Sequence, residues 1–184
     1  MIDNKKRCKW CNINNPLYVE YHDNEWCVQN FDDKYLYEML LLESFQAGLS
    51  WECVLNKREN FRKAYDNFDI DKVICYGDDK INELLNNKDI IRNKRKIVSS
   101  IKNSKIFKEI SDEYGSFHNY LKTFTNGKVI YQTDSTTNKL SDDISKDLKK
   151  RGMTFVGSVI IYSYLQAIGF IYSHDRDCYL YKKE

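Results

Sequence analysis

The stretch DKYLYEMLLLESFQAGLSWECVL, residues 33–55, decides the fold. Apolar side chains recur in it at three- and four-residue spacing, and this period predicts an amphipathic helix over residues 33–47. Either Asp32 or Asp33 can cap the start of this helix, and Gly48 can end it. The stretch therefore predicts a helix of about four turns.

Beyond this stretch, helical spacing continues along most of the chain. There is no internal repeat and only a single proline, Pro16, so little helix-breaking chemistry is present. Residues 129–131 suit a short strand. The other predicted helices contain Val54, Leu55, Phe61 and Ala64 after Ser50; Val73 and Ile74 after Asp69; Ile81, Leu84 and Leu85 after Asp78; Ile97, Val98 and Ile101; Phe117, Tyr120, Leu121 and Phe124 after Ser116; Ile144 and Leu148 after Ser141; and Ile161, Tyr164, Leu165 and Ile168 before Gly169. The sequence therefore predicts an all-α bundle.

Length and composition limit the class of protein. The 184 residues are 42% hydrophobic and 30% charged, which suits one soluble globular domain over residues 1–184. A net charge of +2 excludes a uniformly basic surface, so nucleic-acid binding would need local patches. No run approaches the ~18 apolar residues of a membrane span, and the charged N-terminus lacks a signal core. We therefore expect a cytoplasmic protein without membrane contact, whose cysteines are free thiols or metal ligands.

One carboxylate falls on the apolar side of the first helix. Glu43 lies one turn after the apolar residues at 39 and 40, where a charged group needs a partner because desolvation is costly. A structural ion pair or a capping contact is one interpretation. The other is a pocket carboxylate that accepts hydrogen bonds from a ligand. Tyr18, Tyr21, Trp26 and Trp51 lie nearby in sequence, and aromatic faces around a carboxylate suit a flat, electron-poor or cationic ligand.

Cysteine and histidine residues occur near both ends of the chain. Cys8 and His22 lie near the N-terminus, and His174 and Cys178 form a His-x3-Cys pair near the C-terminus. Zinc accepts four such ligands in a tetrahedron. Cys11 is a rival for Cys8, and spacing alone favours free thiols and solvated histidines over a metal site.

Several longer segments are more specific than these patterns. They are YVEYHDNEW at 18–26, LESFQAGLSW at 42–51, VLNKRENFR at 54–62, IIRNKRKI at 90–97, LKKRGMTFVG at 148–157, and the final His174-x3-Cys178. Together they resemble the DNA-3-methyladenine glycosylase I family, in the same order and over nearly the whole chain.

The resemblance implies a fold, an activity and partners. The fold is an all-α, helix-hairpin-helix DNA glycosylase-like bundle. The activity is base excision repair: hydrolysis of the N-glycosidic bond of 3-methyladenine in alkylated double-stranded DNA after base flipping. No clear lysine is available for a Schiff base, so we expect no strand cleavage. The product ligand would be free 3-methyladenine, and the protein is expected to be a monomer.

The resemblance also assigns roles to individual residues. Glu43 matches the carboxylate that recognises the base. Tyr18, Tyr21 and Trp51 match the aromatic pocket, in which we expect Tyr21 and Trp51 to sandwich the base, and two further tryptophans flank it, namely Trp10 and Trp26. A structural zinc site would join the termini, residues 1–30 and 160–184, through Cys8, His22, His174 and Cys178. Cys8 is preferred to Cys11 because it fits the family's Cys-x-Trp start.

DNA binding is expected from one apolar side chain and two basic clusters. Leu49 suits an apolar wedge that fills the gap in the duplex, although ordinary packing explains it equally well. Charge runs are also typical of solvated faces, and basic residues before Gly152 suit a helix C-terminus. The family's segment order favours phosphate contact, for which the candidates are Arg92, Lys94, Arg95, Lys96, Lys146, Lys149, Lys150 and Arg151.

Two positions depart from the family's usual pattern. Cys27 stands where glycine usually follows Asn-Glu-Trp, and Asp89 stands where a glycine of the hairpin is expected. The second departure bears on the hairpin's turn and on phosphate contact by its backbone amides.

Two other functions fit part of these observations. One is a zinc-stapled nucleic-acid-binding module without catalysis, which a lesion-release assay would distinguish from an enzyme. The other is a small-molecule binder with an aromatic cage for a cationic ligand, which would bind 3-methyladenine without binding duplex DNA.

Overall fold

In the computed structural model, which describes residues 5–183, helices make up most of the chain. The helices are α1 (Pro16–Asn24), α2 (Asp33–Gln46), α3 (Trp51–Leu55), α4 (Arg58–Ala64), α5 (Ile70–Val73), α6 (Asp78–Asn86), α7 (Lys94–Tyr114), α8 (Phe117–Thr125), α9 (Lys139–Lys150) and α10 (Ser158–Ala167), with a 3-10 turn at Asp66–Phe68. Two short strands, β1 (Ile130–Tyr131) and β2 (Ile171–Tyr172), pair in parallel. No helix in the described part of the chain is both long enough and apolar enough to cross a membrane. The prediction of a mostly helical fold is confirmed.

Helix α2 lies at the centre of the core. Residues 36–45 are all buried, and the helix packs against α3, α7, α8 and α10. The side chain of Asp32 accepts a backbone hydrogen bond, which confirms one of the two predicted caps. The helix ends at Gln46, and Gly48 follows with φ of 78°. Because this part of α2 is surrounded by protein, each buried polar side chain on it, including Glu43, needs a structural or a functional partner.

Two predicted helix starts differ from the structure, and one predicted helix is divided. Ser50 caps α3 as predicted, with its hydroxyl accepting from the Cys53 amide, but the helix predicted after it is two helices, α3 and α4. Asp78 is the first residue of α6, and the N-cap position is Gly77. Ser141 lies inside α9, where its hydroxyl accepts a hydrogen bond from the backbone of Asn138, the actual N-cap. Near a helix start, several small polar residues compete for the cap, and the sequence does not decide which of them takes it.

The sequence misses two elements and predicts two others correctly. Neither α1 nor β2 is predicted, because α1 has no clear apolar stripe and a two-residue strand is too short to show alternation. The predicted strand at 129–131 is confirmed as β1, and Ser116 caps α8 as predicted, with its hydroxyl accepting from the Asn119 amide.

The segment after α1 passes closely against the end of α10. Gly169 has φ of 77°, and a Cβ there would lie 2.3 Å from the backbone nitrogen of Gln29. The backbone N–H of Cys27 donates to the carbonyl of Gln166, which fixes the two segments side by side. Cys27 itself has φ of 62°. Glycine adopts this left-handed conformation without strain, which accounts for the glycine that the family resemblance leads us to expect there.

This close approach predicts a difference between two glycine-to-alanine variants. Gly169→Ala places a Cβ against backbone atoms, and we expect it to destabilise the fold by about 3 kcal/mol or more. Gly157→Ala is the matched control, because no atom lies within 4 Å of its Cβ position, and its effect should stay below about 1 kcal/mol. Urea unfolding of both variants measures the difference. Equal midpoints for Gly169→Ala and the wild type would contradict the close approach.

Candidate active site

A cavity of about 350 Å³ opens beside the last turn of α2. It collects side chains from α1, α2, α3 and α10, from the segments on either side of α1, and from the loops after β1 and β2. Its lining consists of Trp10, Tyr18, Trp26, Glu43, Gln46, Trp51, Asp134, Ser135, Ser163, Gln166, Ser173 and Asp175. The structure thus brings the predicted carboxylate together with four of the five aromatic residues assigned from the sequence.

Glu43 is buried in this cavity without a partner for one of its oxygens. Its residue surface is 1% exposed, and Oε2 has no hydrogen-bond partner. Desolvation raises the pKa of this carboxyl well above its usual value. No residue between 5 and 183 forms an ion pair with Glu43, so the structural alternative of a salt bridge or a cap finds no support. The carboxyl therefore keeps its hydrogen-bonding capacity for a ligand.

Other polar atoms around this cavity also lack partners. They are the indole N–H groups of Trp26 and Trp51, the side-chain oxygen of Gln46, and the hydroxyl of Tyr21 just behind the cavity wall. A buried polar group without a hydrogen bond costs about 1–3 kcal/mol, and folded proteins contain few of them. Their concentration around one cavity makes it the candidate site for a polar ligand.

The aromatic rings are arranged differently from the predicted sandwich. The ring centroids of Tyr21 and Trp51 lie 5.3 Å apart with an interplanar angle of 48°. These rings contact each other, so a base has no room between them, and the predicted sandwich is wrong. Tyr21 is 1% exposed and supports the wall from behind. On the other side, Trp10 contacts Trp26 at 5.0 Å and Tyr18 at 5.3 Å between centroids.

Sequence reasoning missed most of the polar lining. Gln46 lies three residues after Glu43 on α2, so helical spacing alone could have identified it. The other missed residues come from α10 and from the loops after β1 and β2, and no local pattern marks them: Asp134, Ser135, Ser163, Gln166, Ser173 and Asp175.

A second group of side chains lies where the two ends of the chain meet. The ligand atoms of Cys8, His22, His174 and Cys178 all lie within 4.8 Å of one another, and all four residues are buried. Cys8 Sγ is 3.4 Å from His174 Nδ1, and Cys178 Sγ is 3.4 Å from His22 Nε2. Cys11 is not in this group, because its thiol faces the carbonyl of Tyr18 at 3.7 Å. The cluster could therefore hold a metal ion with Cys8 as the N-terminal cysteine.

Burial shifts the pKa of two side chains in this cluster. Burial raises the pKa of the Cys8 thiol and lowers that of His174 to about 4. Both shifts disfavour charge on the protein groups, so a bound cation would be needed to hold the thiols as thiolates. Asp23 accepts hydrogen bonds from Arg7 and lies 2.8 Å from His22 Nδ1, an outer contact that orients the imidazole.

The basic residues predicted to contact phosphate fall into two groups: those with exposed side chains, and those whose side chains already donate hydrogen bonds within the protein. Arg151 is occupied, because its guanidinium donates to Asp147, to Glu113 and to the hydroxyl of Tyr114. Lys96 is buried and donates to two backbone carbonyls of the α2 end. Leu49 is 42% exposed in the turn after α2. Among the candidates, the exposed basic side chains are those of Arg92, Lys94, Arg95, Lys146, Lys149 and Lys150.

A larger cavity of about 540 Å³ lies elsewhere, between α2, α5 and α7. Three carboxylates on its wall already have partners. Asp33 accepts backbone N–H groups at the start of α8, Asp66 accepts the hydroxyl of Tyr76, and Asp69 pairs with Lys72. The smaller cavity, with its unpartnered Glu43, is therefore the candidate active site.

The chain is similar to known proteins over nearly its whole length. The chain matches the methyladenine glycosylase family over residues 10–181. It is 38% identical over 182 residues to DNA-3-methyladenine glycosylase 1 of Escherichia coli (strain K12), covering 96% of this chain and 97% of that protein. A crystal structure of 3-methyladenine DNA glycosylase I is similar with a TM-score of 0.91 and 37% identity, covering 96% of this chain and 100% of the other. A structure of 3-methyladenine DNA glycosylase I from Staphylococcus aureus, which describes the structural basis of its 3-methyladenine recognition, is similar with a TM-score of 0.90 and 30% identity. The match covers 97% of this chain and 100% of that chain.

These matches define the class of protein. This chain belongs to the methyladenine glycosylase family, and the resemblance seen in the sequence is confirmed. Its relatives are named as DNA-3-methyladenine glycosylases, which are hydrolases that act on N-glycosyl bonds.

The burial of Glu43 predicts a pH-dependent cost to stability. Because its folded pKa is raised, the folded protein retains a proton that the unfolded chain loses above about pH 4.5. Stability contributed at this site should therefore fall as pH rises above that value, by up to about 1.4 kcal/mol per pH unit. Ligand-free Glu43→Gln should be more stable than the wild type at pH 7, and the difference should vanish near pH 4.

Thermal unfolding of both proteins across this pH range is the measurement. Glu59→Gln is the matched control, since the Glu59 side chain is 66% exposed. A stability difference for Glu43→Gln that does not change with pH would show that the carboxyl is ionised in the folded protein.

Proposed function

We propose that this chain is a DNA repair glycosylase that removes 3-methyladenine from alkylated DNA, and that Glu43 recognises the flipped base. The supporting observation is a carboxyl with an unpartnered oxygen in an indole-lined cavity of about 350 Å³. Family membership agrees with this activity, since the relatives bear that name. The cavity suits one purine ring, and its lining polar atoms suit the edge of a base.

The positive charge of the lesion explains the selectivity. Alkylation at N3 makes the adenine ring cationic, and a cation near Glu43 offsets the cost of ionising a buried carboxyl. Neutral adenine cannot offset this cost. The indole faces of Trp10, Trp26 and Trp51 add cation–π attraction, about 0.5–2 kcal/mol for each favourable contact. The carboxylate then accepts a hydrogen bond from the exocyclic amine, and the Gln46 oxygen offers a second acceptor on the same side.

The chemistry follows from the same charge. Water attacks the sugar carbon C1′, the bond from C1′ to N9 breaks, and its electron pair neutralises the departing base. The water proton passes to solvent. Because the base leaves neutral, the enzyme mainly has to extrude, hold and orient the nucleotide. Among the described residues that line the cavity there is no lysine, so we expect no Schiff base and an intact DNA strand.

DNA contact is proposed for the face that carries the start of α7. Helix α6, the connection at 87–93 and α7 form two packed helices with a tight link, which suits the helix-hairpin-helix element. Phosphate contacts are proposed for the exposed residues Arg92, Lys94, Arg95, Lys149 and Lys150. Arg151 and Lys96 are left out because their donors are occupied. Leu49, exposed beside the cavity, is proposed as the wedge that replaces the extruded base.

We further propose a structural zinc ion at Cys8, His22, His174 and Cys178. Two cysteines and two histidines form a donor set typical of structural zinc, and four protein ligands leave no position for a substrate. The ion would join residues 1–30 to 160–184 and so hold Trp10 and Trp26 against the cavity. The chain would act as a single domain over residues 1–184 and as a monomer.

Release of bases from methylated duplex DNA tests the activity. Chromatography should show 3-methyladenine released by the wild type, and Glu43→Gln should lower the rate by about 10- to 100-fold. Glu59→Gln should keep the wild-type rate. DNA binding without base release would favour the non-catalytic module, and binding of free 3-methyladenine without duplex binding would favour the small-molecule binder.

Metal analysis tests the zinc site. We expect one zinc ion per chain in the wild type and a clear loss in Cys178→Ser, with the temperature of unfolding lowered by about 10–20 °C. Cys75→Ser is the control, because Cys75 is exposed and lies outside the cluster. Metal-free protein with undiminished stability would contradict the structural role.

A further inference from the structure

A buried lysine joins the candidate active site to the proposed DNA-binding helix. Lys96 lies in the first turn of α7 and is 8% exposed. Its Nζ donates to the carbonyl oxygens of Phe45 at 2.8 Å and Ala47 at 2.6 Å. The part of the chain that the structure describes shows no carboxylate paired with this ammonium. The Lys96 ammonium therefore donates its hydrogen bonds to the C-terminal end of α2.

These carbonyls belong to the helix end, where no backbone N–H can reach them within the helix. The carbonyl between them, on Gln46, accepts the backbone N–H of Leu49 at 2.6 Å. A cation at a helix C-terminus also interacts favourably with the partial negative charge there. Three consecutive carbonyls are thus fixed, two of them by one side chain from another helix.

The fixed turn carries the groups that the proposed function requires. Gln46 lies between the two bonded carbonyls, and Glu43 lies one turn earlier on the same helix. Leu49 follows in the same turn, and Trp51 starts α3 directly after it. Recognition groups need positions within a fraction of an ångström, so a clamp at this turn has direct consequences for base binding.

Resting on the proposed function, we infer that Lys96 is a positioning residue: its ammonium holds the last turn of α2, with Glu43 and Gln46, against the first turn of α7, with Lys94 and Arg95. In this arrangement Lys94 and Arg95 point outward from the first turn of α7 and bind DNA. Lys96 points inward from the same turn and binds the end of α2, the helix that carries Glu43. The sequence grouped Lys96 with the phosphate contacts, and the two roles predict different measurements.

Lys96→Met separates these roles, because it keeps the length of the side chain and removes its donors and charge. Binding of free 3-methyladenine, measured by calorimetry, should weaken about tenfold. The slope of log K against log salt for undamaged duplex DNA should stay unchanged. Lys94→Met should do the reverse, with normal base affinity and a slope smaller by about 0.9. Lys105→Met, an exposed residue further along α7, should change neither quantity.

A reduced salt slope with normal base affinity in Lys96→Met would overturn the inference in favour of a phosphate contact. If that variant does not fold, Lys96→Gln, which retains an amide donor on a shorter chain, should fold and show a partial loss of base affinity. Undiminished base affinity in a folded variant would also overturn the inference.

A third readout does not depend on the ligand. Hydrogen exchange of the Leu49 amide should be faster in the Lys96 variants than in the wild type, because the turn loses its clamp. A wild type that binds no 3-methyladenine would contradict the proposed function, and the exchange rate would still decide the role of Lys96: an unchanged rate overturns it.

Discussion

The structure depends most on a carboxyl that the core encloses but does not satisfy. Helix α2 is buried along residues 36–45, and Glu43 is placed there among aromatic side chains. An apolar residue at this position would improve the core, since burial of a carboxyl without a partner is unfavourable. Under the proposed function, an extruded cationic base provides the partner that the protein does not supply. Fold stability and recognition are therefore opposed at one residue.

The rest of the fold serves to keep that helix and its cavity in place. Both chain ends meet at the cluster of two cysteines and two histidines, next to Trp10 and Trp26. The segment after α1 packs on the end of α10 through the close approach at Gly169. At the far end of α2, Lys96 bonds the terminal carbonyls. Contacts between residues distant in sequence thus define each side of the cavity.

The sequence predicts what is local and misses what depends on packing. The extent of α2, the cap at Asp32 and the burial of Glu43 follow from helical spacing and are confirmed. The ring arrangement around Tyr21 does not follow, because the angle between α1 and α3 decides whether two rings sandwich a base or touch each other. Prediction from the sequence is limited in the same way for the basic residues Arg151 and Lys96. A run of basic residues looks uniform in sequence, and only the fold turns some of these side chains toward carboxylates or carbonyls of the protein itself.

The protonation state of Glu43 in the ligand-free protein tests this account most directly. Infrared difference spectra between the wild type and a Glu43→Gln variant, recorded at neutral pH, isolate the carboxyl band of this one residue. The account predicts the band of a protonated, neutral carboxylic acid. The band of an ionised carboxylate would contradict it, because the charge would then need a partner or solvent that the structure does not show at Glu43.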